Sequence, residues 1–129
     1  MAERIIYKMN HIGVDIIEIG RIEKAINRWG DRFFRRIYTE LELKLCGKKP
    51  GRLAARFAGK EAVMKALGTG IRGISWREIE ILAEPSGKPQ IRLYGKAKKK
   101  ANDLRLERLA ISLSDSKEYA VAFVVGETK

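Results

Sequence analysis

Arg56-Phe57-Ala58-Gly59-Lys60-Glu61-Ala62-Val63-Met64-Lys65-Ala66-Leu67-Gly68 is the stretch on which the reading of the fold turns. Its alanines, methionine and leucine favour helix, and Gly68 supplies a stop. A helix is predicted from about Leu53 to Leu67. Glu61 and Lys65 stand at i and i+4 and share a face. Glu61 also lies one turn after Phe57, beside the apolar stripe, and Ala54, Ala58 and Ala62 leave room for another group to approach. Two readings of the pair stand side by side. One is an exposed ion pair of small value; the other is half of a cation site.

A second carboxylate lies upstream. Ile12 to Ile17 is predicted as a strand, with His11, Gly13, Asp15 and Ile17 on one face and Ile12, Val14 and Ile16 on the other. Asp15 is thus an acid on a largely apolar strand. Two carboxylates on rigid elements suit a hard cation whose shell is completed by water and phosphate.

A helix follows from near Gly20, with Ile22, Ala25, Ile26, Trp29 and Phe33 as its apolar stripe. Arg21, Lys24, Arg28, Arg32 and Arg35 fall in one adjacent arc if the helix runs on past Gly30-Asp31. The arc has a single sign, so it reads as a solvated face or as a dock for an acidic surface. Thr39-Glu40-Leu41-Glu42 matches a capping box, and the short helix it opens should stop at Gly47. Lys48-Lys49-Pro50-Gly51 reads as a basic turn.

Downstream, Ile79, Ile81 and Ala83 alternate in one strand and Gln90 to Leu93 forms another, joined by Pro85 to Pro89. Ser86-Gly87-Lys88-Pro89 is either a plain hairpin turn or a tight basic loop suited to phosphate. Lys96 to Leu106 reads as a helix, and Ala110 to Leu113 and Tyr119 to Val125 as closing strands. The expected architecture is one α+β domain over residues 1–129: helices packed on a mostly antiparallel sheet, in the order β-α(3)-β(2)-α-β(2). Gly68-Thr69-Gly70-Ile71-Arg72-Gly73 fits a dinucleotide fingerprint in letters only, because a helix precedes it and a strand follows.

Charge narrows the partners without choosing among them. A formal net charge of +11 attracts nucleic acid, phosphate-rich cofactors and acidic proteins alike. The lone Cys46 cannot form an internal disulfide and points to packing and a reducing compartment. His11, far from it in sequence, is either a ligand or a structural histidine, with the structural reading preferred. Neither a signal-peptide core nor a membrane span of roughly 20 apolar residues is found, so a cytoplasmic protein is expected.

Four segments, in order, resemble a known family: Gly13-Val14-Asp15-Ile16-Ile17-Glu18-Ile19 with Arg21-Ile22, the central Arg56 to Gly70 stretch, Gly87-Lys88-Pro89, and Ser112 to Ala122. The chain is similar to holo-acyl-carrier-protein synthases, the short 4′-phosphopantetheinyl transferases. The resemblance implies transfer of 4′-phosphopantetheine from coenzyme A to a serine of an acidic acyl carrier protein, in fatty acid biosynthesis. It implies Asp15 and Glu61 as Mg2+ ligands, with Glu61 and Lys65 at the chemistry. Arg56, Lys65, Ser86, Gly87 and Lys88 match positions around coenzyme A. Asp115 falls where many members carry histidine near the 3′-phosphate; a carboxylate cannot donate there. The basic arc Arg21, Lys24, Arg28 and Arg32 fits carrier docking. The family forms homotrimers with sites between subunits. Two rivals remain at this stage. A sister transferase for polyketide or peptide carriers would share fold and chemistry. A nucleic-acid-binding module would rest on charge alone, with no RNA-binding signature, zinc spacing or interleaved aromatics.

Overall fold

The computed structural model describes residues 10–70 and 73–128. The segment ahead of Asn10, and Ile71-Arg72 of the glycine-rich connector, lie outside the described residues. The elements are β1 (Asn10–Glu18), α1 (Ile19–Trp29), α2 (Asp31–Ile37), α3 (Glu40–Cys46), α4 (Pro50–Leu67), β2 (Ile79–Ala83), β3 (Pro89–Leu93), α5 (Gly95–Asp103), β4 (Leu106–Asp115) and β5 (Tyr119–Thr128). A 3-10 turn, Trp76–Glu78, leads into β2. Three strands form an antiparallel sheet ordered β1-β5-β4, and β2 and β3 form a separate hairpin. The α+β reading holds.

Three boundaries differ from expectation, each for a local reason. The helix begun near Gly20 ends at Trp29 because Gly30 takes φ 52°, and a new helix starts at Asp31. Four helices therefore separate β1 from β2 where three were expected, and Arg32 and Arg35 leave the helix that bears Arg21. Pro50 and Gly51 belong to α4 and not to a turn; proline suits the first helical position, where its missing N–H has no partner to lose. The helix expected to reach Leu106 stops at Asp103, since Arg105 adopts φ 58° and Leu106 opens β4.

The core forms where α4 lies on one face of the sheet, against β1 and β5. Leu53, Ala58, Ala62, Val63 and Met64 of the helix are buried with Ile17, Ile111, Ala120, Ala122 and Val124 of the strands. β1 turns Gly13, Asp15 and Ile17 toward α4. Its other face is exposed: Ile12, Val14 and Ile16 stand 57%, 50% and 62% open, beside Tyr119 and Phe123 of β5. A run of large apolar side chains on one sheet face is unusual for a protein that stays alone.

Candidate active site

Because α4 lies along β1, Glu61 comes to Asp15. The two carboxylates line a cleft of about 290 Å³ with Arg21, Ile22, Ala25, Phe33 and Phe57. Burial pushes the Glu61 carboxyl above its ordinary range, and the neighbouring Asp15 charge adds to this. Lys65 and Arg21 oppose the shift without cancelling it. An acid held like this gains from a cation that neutralises the pair.

Lys65 makes its hydrogen bonds off its own helix. Its Nζ donates to the Val14 carbonyl at 2.9 Å and to Asp15 Oδ1 at 3.2 Å, so it crosses from α4 to β1. The Lys65 side chain is 55% exposed and Asp15 12%. The ammonium thus faces solvent at the mouth, placed to meet an anion. Among the described residues no cluster of three or more His, Cys, Asp or Glu could hold a metal. Two carboxylates alone fit Mg2+, which takes few protein ligands and keeps water and phosphate oxygens in its shell.

The predicted basic arc survives in altered form. Arg21, Lys24 and Arg28 are exposed along α1, and Arg32 sits at the start of α2. The exposed Trp29 ring gathers Arg28 at 4.9 Å and Arg32 at 6.0 Å from its centroid. Beside the cleft a hollow of about 650 Å³ is walled by Trp29, Phe33, Phe57 and Trp76, with Arg32 and Arg36 at its edge. Phe57 and Trp76 stack at 4.7 Å. The sequence reading missed this aromatic wall; Trp76 lies beyond the glycine-rich connector, and no spacing links it to Phe57.

The remaining predicted residues lie elsewhere in the chain. Arg56 Nε donates to the Ile81 carbonyl at 3.4 Å. Ser86, Gly87 and Lys88 form the exposed tip of the β2–β3 hairpin, where Gly87 has φ 91° and its N–H reaches the Glu84 carbonyl. Asp115 ends β4 beside Gly51, in the first turn of α4. Ten residues of helix separate Gly51 from Glu61, about 15 Å at 1.5 Å per residue. A single chain therefore brings Asp15, Arg21, Glu61 and Lys65 together, and leaves the hairpin tip and Asp115 outside that cleft. His11 lines no part of it, and Cys46 is buried.

The residue next to Glu61 shows the opposite design. Lys60 is fully buried and donates to Glu42 Oε1 at 2.7 Å, the Trp76 carbonyl at 3.1 Å and the Ile79 carbonyl at 2.5 Å. Glu42 also accepts from Ile81 N–H and Thr39 N–H. Its capping box is real, but the sequence showed only that half of its work.

A family model described as the 4′-phosphopantetheinyl transferase superfamily matches residues 11–124, and the chain belongs to that family. Its relatives narrow the class. The holo-[acyl-carrier-protein] synthase of Herpetosiphon aurantiacus is 50% identical over 121 residues, covering 88% of this chain and 95% of the relative. The Helicobacter pylori holo-[acyl-carrier-protein] synthase, solved in complex with coenzyme A, superposes with a TM-score of 0.82 at 37% identity, over 89% of this chain and 98% of that one. The Neisseria meningitidis holo-[acyl-carrier-protein] synthase gives 0.82 at 41% identity, over 92% and 98%. No described helix is long and apolar enough to cross a membrane.

Proposed function

We propose that this protein transfers 4′-phosphopantetheine from coenzyme A to a serine of an apo-acyl carrier protein, releasing 3′,5′-ADP, in support of fatty acid biosynthesis. The observation that carries the reading is the Asp15–Glu61 carboxylate pair, with Lys65 at its mouth, in a chain of this family. The serine oxygen attacks the β-phosphorus, the bond to the α-phosphate oxygen breaks, and the serine proton passes to a base. Asp15 and Glu61 would hold Mg2+, which neutralises charge on the pyrophosphate oxygens when bound. Lys65 reaches a non-bridging oxygen from its exposed position. Arg21, Lys24, Arg28 and Arg32 steer the acidic carrier to the cleft. Arg56, Ser86, Gly87 and Lys88 bind the coenzyme A nucleotide, and Asp115 lies near its 3′-phosphate end without donating to it.

The exposed face of Ile12, Val14, Ile16 and Phe123 favours association with further copies, and the family resemblance sets their number at three. Neighbouring copies then complete the coenzyme A groove that one chain leaves divided. The lone buried Cys46 suits a reducing compartment, and we assign the protein to the cytoplasm.

The test is a mass measurement. Apo-acyl carrier protein, coenzyme A and Mg2+ are incubated with the enzyme, with Asp15→Ala, Glu61→Ala and chelator controls. The carrier should gain one phosphopantetheine arm in the wild type alone. No gain with any of several apo-carriers would overturn the assignment. Light scattering on Val14→Lys should report a monomer where the wild type reports three copies.

A further inference from the structure

α4 and β1 come backbone to backbone at Gly13. A Cβ placed on Gly13 would lie 1.8 Å from the Ala62 carbonyl oxygen, 2.8 Å from its carbonyl carbon and 3.0 Å from the Ala66 nitrogen. These are backbone atoms within a helix, so no side chain can swing away to make room. The helix contributes only small residues to this contact, Ala62 and Ala66, both buried. The strand and helix therefore lie as close as backbone permits. Ala62 follows Glu61 directly, and Gly13 precedes Asp15 by two residues on the same strand face.

From this we infer that Gly13 is a positioning residue: by letting β1 and α4 meet backbone to backbone, it sets the distance between the Asp15 and Glu61 carboxylates and so the affinity of the pair for a divalent cation. The inference rests on the reading of those carboxylates as cation ligands. A methyl group at Gly13 must push the elements apart by roughly 1.5 Å before its contacts approach ordinary van der Waals distances. Mg2+ tolerates far less, since its oxygen ligands sit near 2.0–2.1 Å in nearly octahedral geometry.

Gly59 supplies the control. A Cβ there would meet the Ile81 Cδ1 at 2.4 Å and the Ile111 Cδ1 at 3.2 Å. Both are ends of side chains, and neither belongs to β1. An alanine at Gly59 crowds the same helix without moving it off the strand that bears Asp15.

Mn2+ binding, read by electron paramagnetic resonance of the free ion, separates the possibilities without turnover. Melting temperatures are recorded for the same proteins: wild type, Gly13→Ala, Gly59→Ala, Asp15→Asn and Asp15→Glu. Wild type should bind Mn2+, and Asp15→Asn should not. Gly59→Ala should keep the wild-type Kd within about threefold whatever its melting temperature, because its methyl presses on side-chain ends of β2 and β4 and not on the strand that bears Asp15. Gly13→Ala should raise Kd by about tenfold or more. Asp15→Glu, one methylene too long for the close gap, should also raise it about tenfold. In the Gly13→Ala background, however, the longer carboxylate should recover affinity, a reversal of sign that lost stability cannot produce.

If wild type and Asp15→Asn bind Mn2+ alike, the cation reading fails and the role of Gly13 with it. If Asp15→Asn loses binding while Gly13→Ala keeps it, the inference alone is overturned. Should Gly13→Ala not fold, Asp15→Glu decides: wild-type affinity in that variant overturns a tightly set gap, and a tenfold loss supports it.

Discussion

Lys60 and Glu61 are neighbours on one helix and face opposite worlds. Lys60 is sealed between α4, α3 and the turn before β2, with every ammonium hydrogen given to an oxygen. Burial lowers its pKa, and the Glu42 charge and hydrogen bond push back. Glu61 is half-buried in a cleft beside a second carboxylate, and its countercharges fall short. One charge is compensated and holds the fold; the other is left uncompensated, as the proposed cation site requires. The difference follows from helix geometry, because successive residues point about 100° apart and so reach different layers.

The sharpest way to break this contrast is to exchange the consequences. Lys60→Met strands the Glu42 carboxylate in the interior and should cost about 3–5 kcal/mol in urea unfolding. Adding Glu42→Gln should return part of that loss, since the orphaned charge goes with it. A cost below about 1 kcal/mol would show that Lys60 is no more a structural charge than a surface pair.

Glu61→Gln should do the reverse. Removing a carboxylate from beside Asp15 relieves repulsion, so the melting temperature should hold or rise. Transfer activity should fall by about two orders of magnitude, as expected for a cation ligand. A variant that loses stability and activity together would place Glu61 with Lys60 among the fold's own charges.

How much of this contrast was legible in the residues depends on sequence distance. The capping box at Thr39, the strand at Asp15, the α4 helix and the hairpin turn at Gly87 are local patterns, and they appear where local physics puts them. The Lys60–Glu42 pair spans 18 residues and two elements, and a buried lysine is spelled the same as a solvated one. The meeting of Asp15 with Glu61 is longer-ranged still; strand and helix patterning raised it as one of two readings, and only the family resemblance chose between them. Gly13 carries a signal that went unread, since an isolated glycine inside a strand often marks a close backbone approach. Leu106 misled because it continues a helical spacing, and only the left-handed turn at Arg105 sends it into a strand.

The basic arc tests the open side of the contrast more gently. Lys24 and Arg28 are exposed on α1, away from the bonds that hold the cleft. Lys24→Ala with Arg28→Ala should raise the KM for the carrier about tenfold at low salt, with less effect at high salt. The KM for coenzyme A should stay within about twofold. Equal changes in both would remove the docking role and leave Arg28 as a partner of Trp29.

The smallest effect belongs to another carboxylate, which lies between the two extremes. Glu78 joins the turn before β2 to the start of α5: Oε1 accepts from Ser75 N–H at 2.9 Å, and Oε2 accepts from Ala97 N–H at 3.2 Å and from Lys96 N–H. Burial raises its pKa, but the backbone donors of Ser75, Ala97 and Lys96, with the Lys96 charge, outweigh that and hold it below the ordinary 4.5. A depressed carboxylate stabilises the folded chain in full above its ordinary value, and the contribution is lost as pH falls through the folded-state value. Glu78→Gln should therefore cost about 0.5–1 kcal/mol near neutral pH, the scale of a helix cap. The gap between variant and wild type should close as pH falls below the ordinary carboxylate value and the wild-type acid loses its charge. Activity at neutral pH should be unchanged, because Glu78 lines no part of the Asp15–Glu61 cleft. A gap that persists unchanged into acid would mean that the cap works through packing and not through charge. It would also leave Lys60–Glu42 as the one compensated charge network on which the comparison rests.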